Sequence, residues 1–184
     1  LRKMLLAMSQ DVRVMIIKLC DRLHNMRTGD AWPEQKRRDK ALETMEVYAP
    51  IAHRLGISNI KEELEDRSLQ YLDPIGYSTI QGLLDEHGDD FLNDVCNTIQ
   101  EHLAENGITN ASIKHRIKSV YGIYRKMFVQ NKVFEEIYDV YAVRIILDSV
   151  AECYTALGLI HDMYHPLPNR FKDYISTPKP NGYQ

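Results

Sequence analysis

The sequence predicts an α+β protein whose first part is all-helical and whose second part alternates strands and helices. In the first part, apolar side chains recur every three or four positions, as in residues 12–26, which is the spacing of one helix face. After Gly107 the pattern changes, and residues 138–147 (YDVYAVRIIL) combine β-branched and aromatic side chains as strands do. Helices followed by a strand–helix–strand unit indicate two regions, with a boundary near residue 107.

The helical part is divided by helix-breaking residues. The predicted helices span about residues 12–26, 34–55, 60–72, 75–87 and 89–105. The first ends before Pro33, because a residue that precedes proline is pushed out of the helical region. Gly56 ends the second helix, and Pro50 predicts a kink inside it because proline removes a helical hydrogen bond.

The second part begins with a predicted strand over residues 109–117, followed by a helix over 120–128 with a clear apolar stripe. Residues 138–147 predict a strand that is largely buried on both faces. Residues 152–164 predict a helix, and 178–182 have the composition of a turn.

Composition restricts the class of protein. With 44% hydrophobic and 27% charged residues the chain is ordinary globular material, and its net charge of -3 gives no general attraction to nucleic acid or membranes. Three widely spaced cysteines form no disulfide framework and no CxxC metal motif, which predicts a cytoplasmic protein. We therefore expect neither membrane insertion nor direct binding of nucleic acid.

Polar residues occupy one side of the first helix. Lys18, Asp21, Asn25 and Thr28 follow each other at intervals of three or four, opposite the apolar stripe. A carboxylate there could bind a divalent metal, and an amide one turn later could hold a substrate oxygen. An ordinary solvated helix face explains the same spacing, so the residues alone leave both interpretations open.

Basic residues precede the helix at 120–128. Lys114, Arg116 and Lys118 alternate along the end of a predicted strand, at a helix start where cations oppose the helix dipole unless an anion is bound. Free backbone N–H groups beside basic side chains form a phosphate site, whereas a solvated basic surface is the alternative. The exposed Lys126 adds positive charge to the same helix.

Asp139 lies at the start of the apolar strand. Burying its carboxylate is unfavourable unless a cation or metal neutralises it. The alternatives are an exposed strand end or an ion pair with Arg144, which strand alternation places on the other face. Residues 170–184 then offer several cations and Tyr183, whose ring could stack on a base or belong to a core.

Several strings resemble motifs of the RelA/SpoT family in the order that this family has them. Residues 18–28 (KLCDRLHNMRT) resemble the late motif of its HD-type hydrolase domain, and YAPIAHRLGI at 48–57 also matches. Residues 116–127 (RIKSVYGIYRKM) resemble the ATP-binding segment of its synthetase domain. RFKDYI at 170–175 and KPNGYQ at 179–184 resemble its guanine-nucleotide acceptor loop.

The resemblance implies a domain organisation. Residues 1–56 would be the C-terminal part of an HD-type hydrolase domain, and 57–107 a helical linker. Residues 108–184 would be the N-terminal part of a (p)ppGpp synthetase domain with a nucleotidyltransferase-like α/β fold, here incomplete.

The resemblance also implies a role for each site residue. In the hydrolase, Asp21 would bind Mn²⁺, and Asn25 and Thr28 would contact the nucleotide. The other ligands of that site, a histidine and a His-Asp pair, would precede Asp21, where this sequence has no histidine; its His-Asp pair at 161–162 comes much later. In the synthetase, the implied ATP-binding residues are Arg116, Lys118 and Lys126, and the implied catalytic residues are Lys126 and Asp139.

The remaining implied roles concern Mg²⁺ and the acceptor nucleotide. Asp139 would bind Mg²⁺ together with a glutamate that lies beyond Gln184. Tyr183 would stack on guanine, within a guanine-nucleotide site formed by Arg170, Lys172, Lys179, Asn181 and Tyr183.

The implied parent enzyme acts in the stringent response. It would transfer pyrophosphate from ATP to the 3′-hydroxyl of GDP or GTP and remove the 3′-pyrophosphate from (p)ppGpp. The basic Arg-x-Lys-Asp form at 170–173 and the retained Asp21 motif are typical of bifunctional members. We expect the 184 residues alone to be inactive, and ribosome contact to require regions that they lack.

Two other functions compete with this interpretation. The first is a non-catalytic guanine-nucleotide-binding regulatory module, which would predict damage at the catalytic positions. The second is a plain helical HD phosphohydrolase, which explains nothing after Gly107.

Overall fold

The computed structural model describes residues 11–85 and 89–184, and these form helices followed by a small antiparallel sheet. The predicted α+β class is therefore confirmed. The described residues divide into two compact units, one formed by 11–85 and 117–140, the other by 89–116 and 141–184. The domain limits predicted at residues 56 and 107 stay a prediction.

The helices and strands begin and end close to the predicted positions. Their bounds are α1 (Val12–Arg27), α2 (Glu34–Glu43), α3 (Ala49–Arg54), α4 (Ser58–Leu72), α5 (Pro74–Asp85), α6 (Asp89–Glu105), β1 (Ser112–Ile117), α7 (Val120–Tyr124), β2 (Tyr141–Ile146) and α8 (Val150–Met163).

Two π-helical segments interrupt the predicted helices. Thr44–Tyr48 joins α2 to α3, and Arg125–Val129 continues α7. The first lies in the turn before Pro50, where the kink was predicted, since proline has no N–H to donate to the preceding turn. Gly56 follows α3 with a φ of 73°, a left-handed conformation that ends a helix at little cost for glycine.

The core of the first unit lies between α4 and the helices that precede it. Its side chains have no exposed surface, and each large aliphatic one contributes about 2 kcal/mol by leaving water. They are Leu19 and Met26 of α1, Ala41 of α2, Ala52 of α3 and Leu64 of α4. The apolar helix faces predicted from sequence therefore pack against α4.

A buried arginine crosses this unit. Arg22 of α1 has 7% of its surface exposed and forms an ion pair with Glu43 at 3.0 Å. Its guanidinium also lies 4.1 Å from the ring centroid of Tyr48. Burial by itself raises the pKa of Glu43, but hydrogen bonds from Lys40 and Arg22 outweigh it and the pKa is lowered. The ion pair holds α1 against the end of α2, and the contact with the Tyr48 ring holds it against the π-helical segment.

The second unit packs α6 and α8 against the two-stranded sheet. Ile99, Leu103, Ile108 and Ala156 are buried, and Val143 and Ile145 of β2 pack on them. The strand predicted over 138–147 is shorter, and the prediction that both of its faces are buried is wrong. Arg144 and Ile146 are exposed, because alternate side chains of a strand point to opposite faces and the helices cover one of them.

Among the described residues, no helix combines the length and the apolar character needed to cross a membrane.

We predict that Arg22→Met lowers the free energy of unfolding of the 184-residue chain by about 2 kcal/mol, because Glu43 loses its buried partner. Urea denaturation followed by circular dichroism measures this loss. Arg13→Met is the matched control, since its ion pair with Asp11 is exposed to water and contributes little. Equal losses in the two variants would contradict a structural role for Arg22.

Candidate functional site

Lys118, Lys126 and Asp139 form a cluster in the first unit, which we call the triad. The Lys118 ammonium donates to Oδ2 of Asp139 at 2.9 Å, and the Lys126 ammonium donates to Oδ1 at 2.5 Å. Each carboxylate oxygen thus holds one ammonium group. The lysine side chains are only 18% and 25% exposed, whereas half of the Asp139 side chain faces solvent.

The triad strongly favours the charged form of Asp139. Partial burial by itself raises the pKa of this carboxyl group, but the hydrogen bonds and charges of Lys126 and Lys118 outweigh it and lower the pKa to about 2. Asp139 therefore pairs with these two lysines and not with Arg144, the alternative partner that strand alternation had argued against. Sequence spacing did not predict the triad, because residues 118 and 139 come together only through the fold.

Backbone contacts position the lysines. The Lys118 N–H donates to the carbonyl of Val140 at 2.8 Å, which places residue 118 beside Asp139. Lys126 lies in the π-helical segment that continues α7, so both lysines depend on how α7 begins. One residue, Ser119, separates Lys118 from Val120, the first residue of that helix.

The start of α7 already has an anionic partner. Asp66 of α4 accepts the N–H groups of Val120 at 3.3 Å and Tyr121 at 2.8 Å, and Ser119 Oγ accepts that of Gly122 at 3.2 Å. The prediction of free N–H groups that would bind phosphate at this helix start is therefore wrong. An internal carboxylate takes that place and satisfies the helix dipole.

Arg116 lies in the second unit, in an open cleft of about 480 Å³ on the β1–β2 sheet. The cleft is lined by Lys114, His115, Arg116, Ala142, Val143 and Arg144. Its basic side chains flank an apolar floor, an arrangement that suits a flat anionic ligand. The structure thus adds Arg144 to the cations predicted from the strand pattern.

The predicted hydrolase residues lie on an exposed face of α1. Asn25 Nδ2 donates to Asp21 Oδ1 at 3.4 Å, and the Lys18 ammonium lies 3.8 Å from Asp21 Oδ2. The Thr28 hydroxyl donates to the backbone carbonyl of His24 at 3.0 Å. The structure therefore brings Asp21 and Asn25 together, while the Thr28 hydroxyl is turned towards its own helix.

A cleft of about 400 Å³ opens beside this face. Asp21, Asn25 and Lys18 form one wall of it, and Trp32 and Lys36 belong to the other residues that line it. Cations and an indole ring beside a carboxylate and an amide could receive a phosphorylated ligand with a flat base.

The predicted acceptor residues cluster in part around one cation. The Lys179 ammonium lies 4.5 Å from the ring centroid of Tyr174 and 4.7 Å from that of Tyr183. The two rings meet edge to face at 6.0 Å, and Tyr183 is 59% exposed. The side chain of Asn181 accepts the Tyr183 N–H at 3.3 Å, which shapes the turn.

Asp173 shapes the preceding loop. Its carboxylate accepts the N–H groups of Ile175 and Ser176 at 2.9 Å and the hydroxyl of Tyr154 at 3.0 Å. These hydrogen bonds, with that of the Ser176 backbone the strongest, lower its pKa. The exposed side chains of Arg170 and Lys172 precede it in the same loop, so Tyr154 of α8 is a supporting residue that sequence did not predict.

Neither predicted metal position is complete among the described residues. Asp21 and Asp139 each supply one carboxylate, and in the part of the chain that the structure describes no three His, Cys, Asp or Glu side chains lie close enough to share an ion. A divalent cation at Asp139 would also lie beside two ammonium groups. The described residues do not by themselves fit a divalent cation at either position.

We predict that Lys126→Met raises the pKa of the Asp139 carboxyl group from about 2 towards its ordinary value of 3.8, because one hydrogen-bonded ammonium is lost. A carboxyl-carbon NMR titration measures this change. Lys132→Met removes a nearby exposed lysine and is the control that should leave the pKa unchanged. A pKa of Asp139 that stays near 2 in Lys126→Met would show that the triad does not form.

The triad also makes stability depend on pH. Because the folded pKa is lower than the unfolded one, the contribution of Asp139 is present above about pH 4 and is lost as pH falls towards 2. The difference in stability between the wild type and Asp139→Asn should therefore shrink over that interval. Thermal unfolding at several pH values measures it.

Comparisons with known proteins cover the whole chain. Residues 115–184 match the region found in RelA/SpoT proteins, and residues 1–58 match an HD domain. The chain is 50% identical over its full length to a probable guanosine-3′,5′-bis(diphosphate) 3′-pyrophosphohydrolase of Synechocystis, of which it covers 24%. It is also 47% identical over its full length to a GTP pyrophosphokinase of Myxococcus xanthus, of which it covers 24%.

The chain is 46% identical over its full length to a guanosine-3′,5′-bis(diphosphate) 3′-pyrophosphohydrolase of Haemophilus influenzae and covers 27% of it. The chain spans about a quarter of the length of the curated relatives that it matches. Two family matches in the expected order and identity over the full chain confirm the resemblance to the RelA/SpoT family that the motifs indicated.

Proposed function

We propose that the protein containing this chain makes and degrades (p)ppGpp. In one direction it transfers pyrophosphate from ATP to the 3′-hydroxyl of GDP or GTP, and in the other it removes the 3′-pyrophosphate. The observation that carries the proposal is the triad, in which two lysines are held on one carboxylate at the edge of a segment that matches RelA/SpoT proteins. Relatives named as pyrophosphokinase and as pyrophosphohydrolase support the two directions.

The triad suits the transfer of a pyrophosphoryl group. Such transfer needs positive charge beside the phosphates, in a fixed position, more than it needs covalent chemistry. Lys126 and Lys118 supply that charge, and Asp139 holds both ammonium groups in place. In the second unit, Arg116 and Arg144 line a separate basic cleft that we assign to ATP.

The acceptor nucleotide is assigned to the loop that contains Lys179, Asn181 and Tyr183. The exposed ring of Tyr183 offers a surface on which guanine can stack, and Lys179 brings a cation beside it. Arg170 and Lys172 extend this positive surface along the chain.

The opposite reaction is assigned to the exposed face of α1. Asn25 and Thr28 would contact (p)ppGpp there, and Asp21 would contribute one ligand to a metal. The adjacent cleft lined by Trp32 and Lys36 supports binding of a phosphorylated nucleotide at this face.

Divalent metals are typical of HD hydrolases and pyrophosphokinases. Mn²⁺ at Asp21 and Mg²⁺ at Asp139 are proposals, and each needs ligands besides those described. A bound cation would neutralise phosphate charge or activate a water molecule. A cytoplasmic location is also a proposal, supported by three cysteines that form no disulfide.

A non-catalytic nucleotide-binding module is the second candidate. The pairing of each lysine with Asp139 favours it, because a nucleotide would have to compete with that carboxylate for the same ammonium groups. Such a module would bind nucleotides and transfer nothing.

We predict that a protein of the relatives' full length that contains this chain transfers label from radioactive ATP to GDP or GTP. Asp139→Asn and Lys126→Met should each lower synthesis by a factor of about 100 or more, because the positioned charge is lost. The same variants should still hydrolyse (p)ppGpp. Thin-layer chromatography of the labelled nucleotides measures both reactions.

Two controls separate the activities. Asp21→Asn should abolish hydrolysis and leave synthesis intact, and Lys132→Met should leave both unchanged. Binding of nucleotides by the wild type without any transfer would favour the non-catalytic module over the enzyme.

A further inference from the structure

Asp66 contacts the functional segment although it belongs to neither predicted site. It lies on α4, more than fifty residues before α7 in sequence, and accepts the N–H groups of Val120 and Tyr121 at 3.3 and 2.8 Å. Backbone N–H groups at a helix start have no partner within the helix. The carboxylate of Asp66 therefore stabilises the start of α7, together with the Ser119 hydroxyl, which accepts the N–H of Gly122.

The position of α7 determines where both lysines of the triad lie. Lys118 comes two residues before the helix, and Lys126 follows it in the π-helical segment. Their ammonium groups bind opposite oxygens of Asp139. A shift of the helix start would change both distances together.

A second contact holds the same helix farther along. The Tyr124 hydroxyl donates to Oδ2 of Asp73 at 3.0 Å, and Oδ1 of Asp73 accepts the N–H of Gly76 at the start of α5. The approach is close, since a Cβ atom on Gly76 would lie 2.8 Å from the Tyr124 ring. Asp66 thus contacts the first residues of α7, and Asp73 contacts Tyr124 at its end.

We propose that Asp66 is a positioning residue for pyrophosphoryl transfer, acting through the backbone of α7 on Lys118 and Lys126. This inference rests on the proposed function of the triad. It assigns to the synthetase reaction a residue that lies outside the segment matching RelA/SpoT proteins.

The groups around Asp66 make its hydrogen bonds to the start of α7 sensitive to pH. Burial has the largest effect on the Asp66 carboxyl group and raises its pKa, and the charges of Glu65 and Glu62 on α4 raise it further. The two backbone hydrogen bonds lower the pKa, and the result is a pKa of about 6. From α5, Tyr77 faces Asp66, and its own pKa is raised by burial and by the Asp66 charge. On α7, burial and the charge of Glu65 raise the pKa of Tyr121, and the charges of Arg125 and Lys61 oppose this rise.

The sign of the effect follows from these groups. Above about pH 6 the ionised carboxylate accepts both N–H groups, and below it the protonated group accepts them more weakly. Transfer by the triad should therefore decline as pH falls through about 6. Glu62→Gln removes one like charge and should shift this decline to lower pH.

The experiment compares wild type, Asp66→Asn and Glu62→Gln in a protein of full length. Asp66→Asn should lower kcat for synthesis about tenfold at slightly alkaline pH, with a smaller change in KM, because misplacement of catalytic groups affects the transition state most. It should also remove the acid decline near pH 6, which a purely structural role would not do. Glu62→Gln should keep the alkaline kcat and shift the decline to lower pH.

A second readout does not need activity. Hydrogen exchange of the backbone amides at 118–126, followed by mass spectrometry, should be faster in Asp66→Asn than in the wild type. Hydrolysis of (p)ppGpp by the same preparations checks that the variant is folded, and unaltered hydrolysis is the expected result.

The outcomes separate the two proposals. Unchanged exchange at 118–126, or a wild-type kcat and pH profile in Asp66→Asn, would overturn the role of Asp66. Faster exchange in the variant combined with no synthesis by the wild type would overturn the proposed function, and with it any part of Asp66 in that reaction.

Discussion

The contact between the Asp66 carboxylate and the start of α7 is the interaction on which the first unit depends. It joins residues that are far apart in sequence and brings 117–140 against the helices that precede them. Without it the two part-buried N–H groups would lose this acceptor, which is unfavourable by at most about 1–3 kcal/mol for each group. Three residues earlier on α4, Glu63 binds Arg27 of α1 through two hydrogen bonds of 2.6 Å. One helix thus contacts both α1, which carries the predicted hydrolase residues, and the start of α7, which lies between the two lysines of the triad.

Internal carboxylates neutralise many of the cations that looked available in the sequence. Asp139 binds Lys118 and Lys126, and Glu43 binds the buried Arg22. An ion pair of this kind fixes a cation in position before any ligand arrives, so less conformational entropy is lost on binding. The same pairing lowers the affinity for an anion, because the anion must compete with a carboxylate that is already in place. The triad is therefore preorganised rather than simply basic.

The sequence predicted local structure well and long-range partners poorly. Helical periodicity and the breaks at Pro33 and Gly56 identified the helices, since these signals depend on neighbours in the chain. The same local signals do not predict which carboxylate contacts the start of which helix. The contact of Asp66 with α7 was therefore not predicted. The burial of β2 was overestimated. A run of β-branched residues predicts a strand, but it does not predict whether one or both faces of that strand are covered by other elements. Signals for the site were stronger in literal motifs than in spacing, since spacing alone favoured an ordinary solvated face at Asp21.

The acceptor loop shows how far a site can be organised by its own side chains. Lys179 lies between the rings of Tyr174 and Tyr183, so its ammonium occupies one side of the Tyr183 ring. A base that stacks on Tyr183 must use the other face or displace the ammonium. Using the free face keeps the cation–π contact between Lys179 and the Tyr183 ring. Because the Lys179 N–H also donates to the carbonyl of Tyr183 at 3.0 Å, the turn fixes both groups together, and the loop offers a stacking surface whose orientation is set before a nucleotide binds.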